Sequence, residues 1–237
     1  MKIKPILFST PMVTAILNGT KTQTRRALKQ QPERHHWEIF SHHKLNISTI
    51  TTQNGLFFKF WDSIEKNQDQ NITVKAKYNI GDIIWVRETW QITHFLHPSD
   101  ENYGFIYKAS ENGLEWQNSD KNWKWKPSIF MPKNACRIFL KVTNVRVERL
   151  QKITQEDCIS EGIENFWNDN TNVNAFRNYL ATKKELKKNH WDHVADDALH
   201  SFKSLWQSIN GVESWYENPF VFVYDFELTT QPKCFLQ

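Results

Sequence analysis

Residues 19–26 have the sequence Gly-Thr-Lys-Thr-Gln-Thr-Arg-Arg, which brings one lysine, two arginines and three threonine hydroxyls into one short stretch. A short helix pattern precedes it, with Thr10 as the expected N-cap and Gly19 as the expected stop. Beyond Gly19 the pattern predicts an extended chain, in which strict alternation would put Lys21 and Thr24 on opposite faces. A bend or bulge is therefore required before these two side chains can meet. A solvated edge strand with protective charges would give the same pattern.

The composition indicates a globular protein with a substantial core. Its 237 residues, 39% hydrophobic and 24% charged, suit one large domain or a small domain with insertions. Eleven tryptophans and sixteen phenylalanines favour β-strands and also suit stacking on bases. The net charge of +4 permits an anionic partner without requiring one. We expect a cytoplasmic protein without a metal or other cofactor, because its cysteines form no CxxC pair and it has neither a signal-peptide core nor a membrane-length apolar run.

The periodicity predicts seven or eight strands with two to four helices between them. The predicted strands are residues 4–9, 56–61, 71–78, 83–90, 104–109, 136–150 and 219–228, and the predicted helices are residues 10–18, 154–161, 173–180 and 195–209. The strands at 56–61 and 71–78 are expected to form an inserted hairpin. In the long strand at 136–150, the apolar alternation follows even-numbered positions up to Val142 and odd-numbered positions from Val145. This change of face predicts a bulge near Thr143 and Asn144. The pattern predicts an α+β protein with a closed or nearly closed mixed β-barrel of about six to eight strands and flanking helices. It forms a single domain, 1–237, with insertions at about 30–78 and 164–195.

Several polar residues are candidates for a site, each with a structural alternative. Glu161 ends the helix that begins at Thr154, so its carboxylate meets the negative end of the helix dipole, although surface glutamates are common there too. In the strand at 83–90, Arg87 or Glu88 must point inward among apolar neighbours. A buried charge needs a partner, which is either an oppositely charged residue on another strand or a group of the substrate.

Aromatic and basic segments offer a second kind of surface. Trp123 and Trp125 alternate with lysines in a loop that suits base stacking, although Trp and Pro also anchor loops at a barrel mouth. The adjacent histidines at 35–36 and 42–43 lack carboxylate or cysteine partners at ligand spacing, so a solvated loop or hairpin is expected there. The basic run at 183–188 is expected to be a solvated helix face.

Three motifs together resemble the ASCH-domain family. They are Pro-Ile-Leu-Phe-Ser-Thr-Pro-Met at 5–12, the turn at 19–26, and Gly-Asp-Ile-Ile-Trp-Val-Arg-Glu-Thr-Trp at 81–90. The chain is similar to the long members of this family that are common in phages and prophages. This resemblance covers both ends and the middle of the chain and is weak at about 30–75 and 164–195. It implies a PUA-like β-barrel and an association with RNA and modified nucleosides.

Small bacterial ASCH proteins that resemble this chain hydrolyse N4-acylated cytidines, including N4-acetylcytidine. Their motif Lys-Thr-x-Thr-x-Arg is matched at every position by residues 21–26, and Glu161 has the place of their third catalytic group. The resemblance therefore implies that Lys21, Thr24 and Glu161 are catalytic. Lys21 would act as a base once its pKa falls, Thr24 or a water that it holds would attack the acyl carbonyl, and Glu161 would carry a proton to the departing amine.

The expected substrate-binding residues are Arg25, Arg26, Arg87, Glu88 and Trp125. Arg25 or Arg26 would hold the developing oxyanion or a phosphate. Two other functions fit the same sequence: a non-catalytic RNA-binding module that uses the tryptophan loop and basic residues, and a metal-dependent ribonuclease on the same fold. The expected partner is a modified nucleoside or RNA and not a membrane, and a monomer is favoured.

Overall fold

A computed structural model of the protein describes residues 1–32, 45–62, 72–92, 104–110, 124–168, 173–181, 194–195 and 197–236. In these ranges the chain has a mixed α+β architecture of thirteen β-strands and three α-helices. The strands are β1 (Ile3–Leu7), β2 (Gln23–Ala27), β3 (Leu45–Thr52), β4 (Gly55–Asp62), β5 (Ile72–Lys75), β6 (Ile83–Arg87), β7 (Trp90–Ile92), β8 (Phe105–Tyr107), β9 (Phe139–Arg149), β10 (Asn165–Asn168), β11 (Val173–Arg177), β12 (Val194–Ala195) and β13 (Phe220–Thr229). The helices are α1 (Thr10–Leu17), α2 (Gln155–Ser160) and α3 (Ala198–Asn210).

The central sheet has five strands in the order β1-β6-β9-β13-β2, with β1 and β6 parallel and the other neighbours antiparallel. Its middle is the long pair β9 and β13. Their register shifts so that Asp225 pairs with Asn144 but Phe226 pairs with Val142, which leaves Thr143 as the extra residue. The bulge predicted at this point is confirmed.

The two edge strands of the central sheet, β1 and β2, both border one cavity. The side chain of Arg26 on β2 donates a hydrogen bond to the carbonyl of Leu7 on β1, at 3.4 Å. The sheet therefore curls until its edges approach each other. Among the described residues, however, its strands do not close into a barrel, and the strands outnumber the expected six to eight.

A second, three-stranded sheet has the order β3-β4-β5. The expected hairpin is present as the antiparallel pair β4 and β5, and β3 adds a strand that the polar sequence of 45–52 did not predict. One face of this sheet packs on the central core, where Phe60 contacts Phe220 at 5.1 Å and Phe58 contacts Phe222 at 5.8 Å between ring centroids. The insertion is thus part of the main core.

Three sequence predictions about elements are corrected by the structure. The strand expected over 83–90 is divided into β6 and β7, and β7 leaves the central sheet to pair with β8. The segment 173–180, expected to be a helix, instead contributes β11 to a small sheet of order β10-β11-β12. The helix expected from Ala195 begins at Ala198, with Asp197 as its N-cap, because Ala195 pairs with Phe176 in that sheet.

The helix ends follow the sequence closely. Ser9 is the N-cap of α1, one residue before the expected Thr10. The N-cap of α2 is Thr154, whose hydroxyl accepts a hydrogen bond from the backbone N–H of Asp157 at 3.2 Å. No helix within the described ranges has the length and apolarity needed to cross a membrane. The histidine pairs, Trp123 and the basic run at 183–188 lie outside the described residues.

Candidate active site

A cavity of about 690 Å³ lies between the edge strands of the central sheet and helix α3. Among its lining residues are Lys21, Thr24 and Glu161, the three that the ASCH resemblance implies to be catalytic. The apolar side chains of its wall include Phe8, Met12, Phe202, Leu205 and Trp206. Polar groups therefore meet an apolar surface in one hollow of a size typical for small-molecule sites, about 300–1,000 Å³.

The backbone around Lys21 is held by three elements. Its N–H donates to the carbonyl of Ala15 at the end of α1, at 3.0 Å, and the N–H of Thr22 donates to the carbonyl of Ser160 at the end of α2, at 2.8 Å. On the other side, the N–H of Phe226 in β13 donates to the carbonyl of Thr22 at 2.8 Å. These contacts impose the bend that the sequence required between Gly19 and the regular part of β2.

Lys21 and Glu161 form a buried ion pair, although 140 positions separate them in the chain. The ammonium Nζ lies 3.0 Å from Glu161 Oε2, and the two side chains are 2% and 5% exposed. Nζ also donates to the backbone carbonyls of Glu161, at 2.6 Å, and of Gln23, at 2.9 Å. Three acceptors thus surround one ammonium group.

The pKa of Lys21 is lowered from its ordinary value of 10.5. Burial is the main cause, because desolvation disfavours the charged form. The charge of Glu161 and its hydrogen bond oppose this effect, while the positive charges of Arg26 and Arg25 add to it. The direction of this pKa shift is the one that a role of Lys21 as a base requires.

Arg25 is fully engaged by carboxylates. Its Nη1 donates to Glu161 Oε1 at 3.2 Å, and its Nη2 donates to Glu148 at 2.6 Å and to Asp157 at 2.8 Å. Its Nε donates to the same Glu148 oxygen at 3.2 Å. Glu161 is therefore held on one oxygen by Lys21 and on the other by Arg25, which fixes the orientation of its carboxylate.

This network continues outward through Arg146. Its Nη2 donates to Asp157 at 3.1 Å and its Nη1 donates to Asp225 at 2.9 Å. Burial alone would raise the pKa of Asp157, but the hydrogen bond from Gln23 and the charges of Arg25 and Arg146 lower it. Sequence analysis missed these partners, since carboxylates scattered along a chain give no pattern that links them to Arg25.

Thr24 lies on β2 with its side chain at the cavity and is only 1% exposed. None of the hydrogen bonds formed among the described residues involves its hydroxyl. Alternation along β2 directs Thr24 and Arg26 to the same face, and Gln23 and Arg25 to the other. The hydroxyl is therefore available to a ligand, while Arg25 orients the carboxylate from behind.

Comparisons of the chain with protein-family models, with curated proteins and with solved structures found no match. The resemblance to the ASCH family thus depends on the motifs quoted above, and the functional argument depends on the geometry of this cavity.

The remaining predicted substrate-binding residues divide into two groups. Arg26 and Arg87 line the cavity, and the guanidinium of Arg87 also donates to the backbone carbonyls of Met131, at 3.1 Å, and of Ile129. Glu88 does not line it: this carboxylate is fully buried and binds Arg137 through two hydrogen bonds of 2.9 Å. The structure therefore contains the alternative considered for Glu88, a structural salt bridge to another segment of the chain.

Trp125 also lies away from the cavity lining. Its neighbour Lys126 pairs with Trp90 of β7 through backbone hydrogen bonds of 2.8 and 3.2 Å. The segment is therefore tied to the edge of the small β7–β8 sheet. Trp125 is not among the described residues that line the cavity with Lys21, and its role in binding substrate stays a prediction.

Several lining residues were not predicted as site residues. Phe8 contacts both Lys21 and Arg26, at 5.3 and 5.6 Å from its ring centroid, and Phe202 of α3 lies 5.9 Å from the guanidinium of Arg25. The motif at 5–12 contains Phe8, so that residue could have been proposed. The α3 residues form an ordinary amphipathic pattern, which indicates a buried face but not what the face adjoins.

The functional groups at the cavity are of the kinds that acyl transfer uses. They are a hydroxyl without a hydrogen-bond partner among the described residues, an amine with a lowered pKa, and a carboxylate hydrogen-bonded to that amine. These groups can act as nucleophile, base and proton donor toward one bound carbonyl compound. Within the described residues no group of three His, Cys, Asp or Glu side chains is arranged to hold a metal ion.

Proposed function

We propose that the protein is an amidohydrolase that removes the acyl group from an N4-acylated cytidine or a related modified nucleoside. The observation that carries the proposal is the meeting of Lys21, Thr24 and Glu161 at one cavity, with the lysine and the glutamate 3.0 Å apart in a buried setting. A buried ion pair is expensive to desolvate, and a module that only grips an RNA backbone does not need one. A catalytic role would explain why the chain bears the desolvation cost of burying Lys21 and Glu161.

In the proposed reaction the Lys21–Glu161 hydrogen bond moves protons. Transfer of a proton from the ammonium to the carboxylate along their 3.0 Å hydrogen bond yields a neutral amine and a neutral acid. The amine of Lys21 then takes the proton of the Thr24 hydroxyl, or of a water held by Thr24, as the oxygen attacks the acyl carbonyl carbon. Lys21 ends this step as an ammonium.

Collapse of the tetrahedral intermediate breaks the bond between the acyl carbon and N4 of cytosine. Glu161 donates its proton to that departing nitrogen, which leaves as the amino group of cytidine. The acyl group leaves as a carboxylic acid, directly when water attacks, or after hydrolysis of an ester when Thr24 attacks. Arg25 keeps Glu161 oriented throughout, through its 3.2 Å hydrogen bond to the other carboxylate oxygen.

The apolar wall suits a nucleobase. Phe8, Phe202 and Trp206 all border the cavity, and aromatic side chains stack favourably on the flat faces of bases. The base would lie against them with its acylated N4 directed toward Thr24.

We also infer a PUA-like fold of the ASCH type. The central sheet curls until its edge strands β1 and β2 both reach the cavity, where Arg26 links them through its hydrogen bond to Leu7. Such curvature is what a mixed barrel with one open seam would have. The helix α1 fills the connection between those two strands.

Purified protein incubated with N4-acetylcytidine tests the proposed activity. We expect release of cytidine and acetate, measured by chromatography. Each of the variants Lys21→Met, Thr24→Val and Glu161→Gln is expected to lower kcat by about 10²-fold or more, as for loss of a general acid or base. Lys152→Met is the control, because Lys152 is exposed and does not line the cavity.

Two results would contradict the proposal. One is a folded wild-type protein that leaves a panel of N4-acylated cytidines intact; the other is Lys21→Met with wild-type turnover. Mass spectrometry of the protein during turnover separates the two routes, since an acylated Thr24 accumulates only if Thr24 itself attacks.

A further inference from the structure

The cavity has an excess of positive charge. Among the described residues, its lining contains five cationic side chains, Lys21, Arg25, Arg26, Lys77 and Arg87, and one carboxylate, that of Glu161. Lys21 and Arg25 both bind Glu161, and Arg25 also binds Glu148 and Asp157. Carboxylates therefore balance the charges of Lys21 and Arg25. The other three cationic side chains remain, and their charges need a separate explanation.

Arg26, Lys77 and Arg87 form a cationic rim around the outer part of the cavity. Among the described residues, the side chain of Arg26 donates only to the carbonyls of Arg25 and Leu7, and that of Arg87 donates to carbonyls of the 129–131 segment. Carbonyl oxygens are neutral, so they satisfy donors without balancing charge. Within the described ranges, none of the three side chains forms an ion pair with a carboxylate.

Two of the rim cations, Arg26 and Lys77, are close enough for the charge of one to affect the other. The pKa of Lys77 is lowered, first by burial and then by the positive charges of Arg26, Lys29 and Lys4. Like charges held together without a counterion are unfavourable. An anionic ligand at the rim would relieve this repulsion, and no side chain of the described residues does so.

The rim is also correctly spaced from the reacting groups. Arg26 follows Thr24 by two residues on β2, so both side chains leave the same face of the strand about 7 Å apart. The ring of Phe8 contacts both Lys21, at 5.3 Å, and Arg26, at 5.6 Å. A ligand that reaches Thr24 and Lys21 at one end can therefore meet Arg26 at the other.

We propose that the cationic rim binds a phosphate group of the ligand, so that the substrate is a phosphorylated N4-acylcytidine and not the free nucleoside. This inference relies on the proposed function for the base and the acyl group, while the phosphate site itself follows from the charge of the rim. A guanidinium fork matches phosphate in a bidentate arrangement, and a lysine adds a compact charge. The phosphate belongs either to a free nucleotide or to a phosphodiester of RNA, which share this chemistry.

Binding measurements without turnover test the phosphate site. Titration calorimetry compares cytidine, cytidine 5′-monophosphate, cytidine 3′-monophosphate and the trinucleotide CpCpC. We expect at least one phosphorylated probe to bind about tenfold or more tightly than cytidine, the effect of one charge-assisted hydrogen bond. This preference should shrink as salt is added and disappear in the double variant Arg26→Ala, Lys77→Ala. Lys152→Ala is the matched control and should keep it.

Equal affinity for cytidine and all phosphorylated probes would overturn the proposal, as would an unchanged preference in the folded double variant. If CpCpC binds more tightly than both monophosphates, the phosphate comes from RNA; otherwise it comes from a free nucleotide. If the protein prefers phosphorylated probes but hydrolyses no acylated cytidine, the phosphate site is supported and the proposed hydrolase function is rejected. With an active enzyme, the double variant should raise KM for N4-acetylcytidine monophosphate by a larger factor than KM for N4-acetylcytidine.

Discussion

At the level of single residues, Lys21 is the point where two opposing effects meet. Burial lowers its pKa, and the nearby negative charge of Glu161 raises it. Neither effect alone gives a useful base: an exposed lysine stays charged, and a fully compensated one holds its proton firmly. The balance keeps the pKa below 10.5 while leaving a 3.0 Å path along which the proton can move.

We predict that Glu161→Gln lowers the pKa of Lys21 further, because the variant removes the charge that stabilises the ammonium form. A lysine whose folded pKa lies below its unfolded value destabilises the protein at lower pH, and that loss is recovered as pH rises toward 10.5. The variant should therefore lose about 3–5 kcal/mol at neutral pH, as when a buried pair is broken, and regain more than the wild type in alkali.

NMR titration of the Lys21 ε-carbon measures this pKa directly, and urea unfolding at several pH values measures the linked stability. Glu161→Asp, which keeps the charge, is the control. A pKa of Lys21 that rises or stays constant in Glu161→Gln would contradict the electrostatic account.

The site residues were predictable to the extent that a local motif carries them. Lys21, Thr24 and Arg26 lie in one contiguous motif, and Glu161 follows a helix whose cap and stop are visible in the sequence. Glu88 was singled out because a charge stood among apolar residues, yet its partner Arg137 is 49 positions away and invisible to a local pattern. Pairings across the fold are set by the register of strands, which local patterns leave undetermined.

At the level of elements, the turn after α2 joins the two halves of the site. Gly162 has a φ of +78°, and a Cβ placed there would lie 2.7 Å from the Cβ of Lys21 and 2.8 Å from the Cβ of Ala15. The absence of a side chain therefore lets α1, α2 and the start of β2 approach closely. The Lys21–Glu161 contact depends on that approach.

We predict that Gly162→Ala is destabilised by about 2–5 kcal/mol, from a left-handed backbone plus overpacking. It should also lose hydrolysis, because the clash moves Lys21 away from Glu161. Gly81→Ala is the matched control: its φ is +82° and nothing lies within 4 Å of an added Cβ. That variant should lose only about 1–2 kcal/mol and keep its activity. Denaturant unfolding and the N4-acetylcytidine assay check both, and equal losses would contradict the packing argument.

Elements were predicted well where sequence signals are local and poorly where they are not. The bulge at Thr143 is predicted by the change of face of the apolar residues along the strand, and the start of α2 is predicted by Thr154 as its N-cap. In contrast, β11 is too short for periodicity to separate a strand from a helix, and its neighbours β10 and β12 decide the outcome. The strand over 83–90 divides because its last residue, Trp90, pairs with Tyr107 outside the central sheet.

At the level of the whole molecule, the inserted sheet and the central sheet share one core. Phe60 on β4 is 1% exposed and packs against Phe220 of β13, so the insertion covers the strand that also pairs with β2. Stability of the insertion and stability of the site are therefore coupled. The inserted sheet is therefore not an accessory unit that could be deleted without disturbing the central sheet.

We predict that Phe60→Ala lowers the free energy of unfolding by about 3–5 kcal/mol, the usual result of emptying a buried aromatic site. Phe57→Ala is the matched control on the same strand, because Phe57 points to the opposite, less buried face. It should cost about 1 kcal/mol. Urea unfolding followed by both fluorescence and far-ultraviolet dichroism measures the two; similar losses in both variants would argue against a shared core.

The position of β2 in the central sheet has a consequence for how the protein is made. Among the described strands, β2 pairs only with β13, and β13 leaves the ribosome after all the other described strands. The nascent chain must therefore carry residues 23–27 without their strand partner until residues 220–229 emerge. Such distant pairing makes folding slow and leaves the early strand exposed meanwhile. Incomplete translation products that end before β13 consequently lack the assembled cavity.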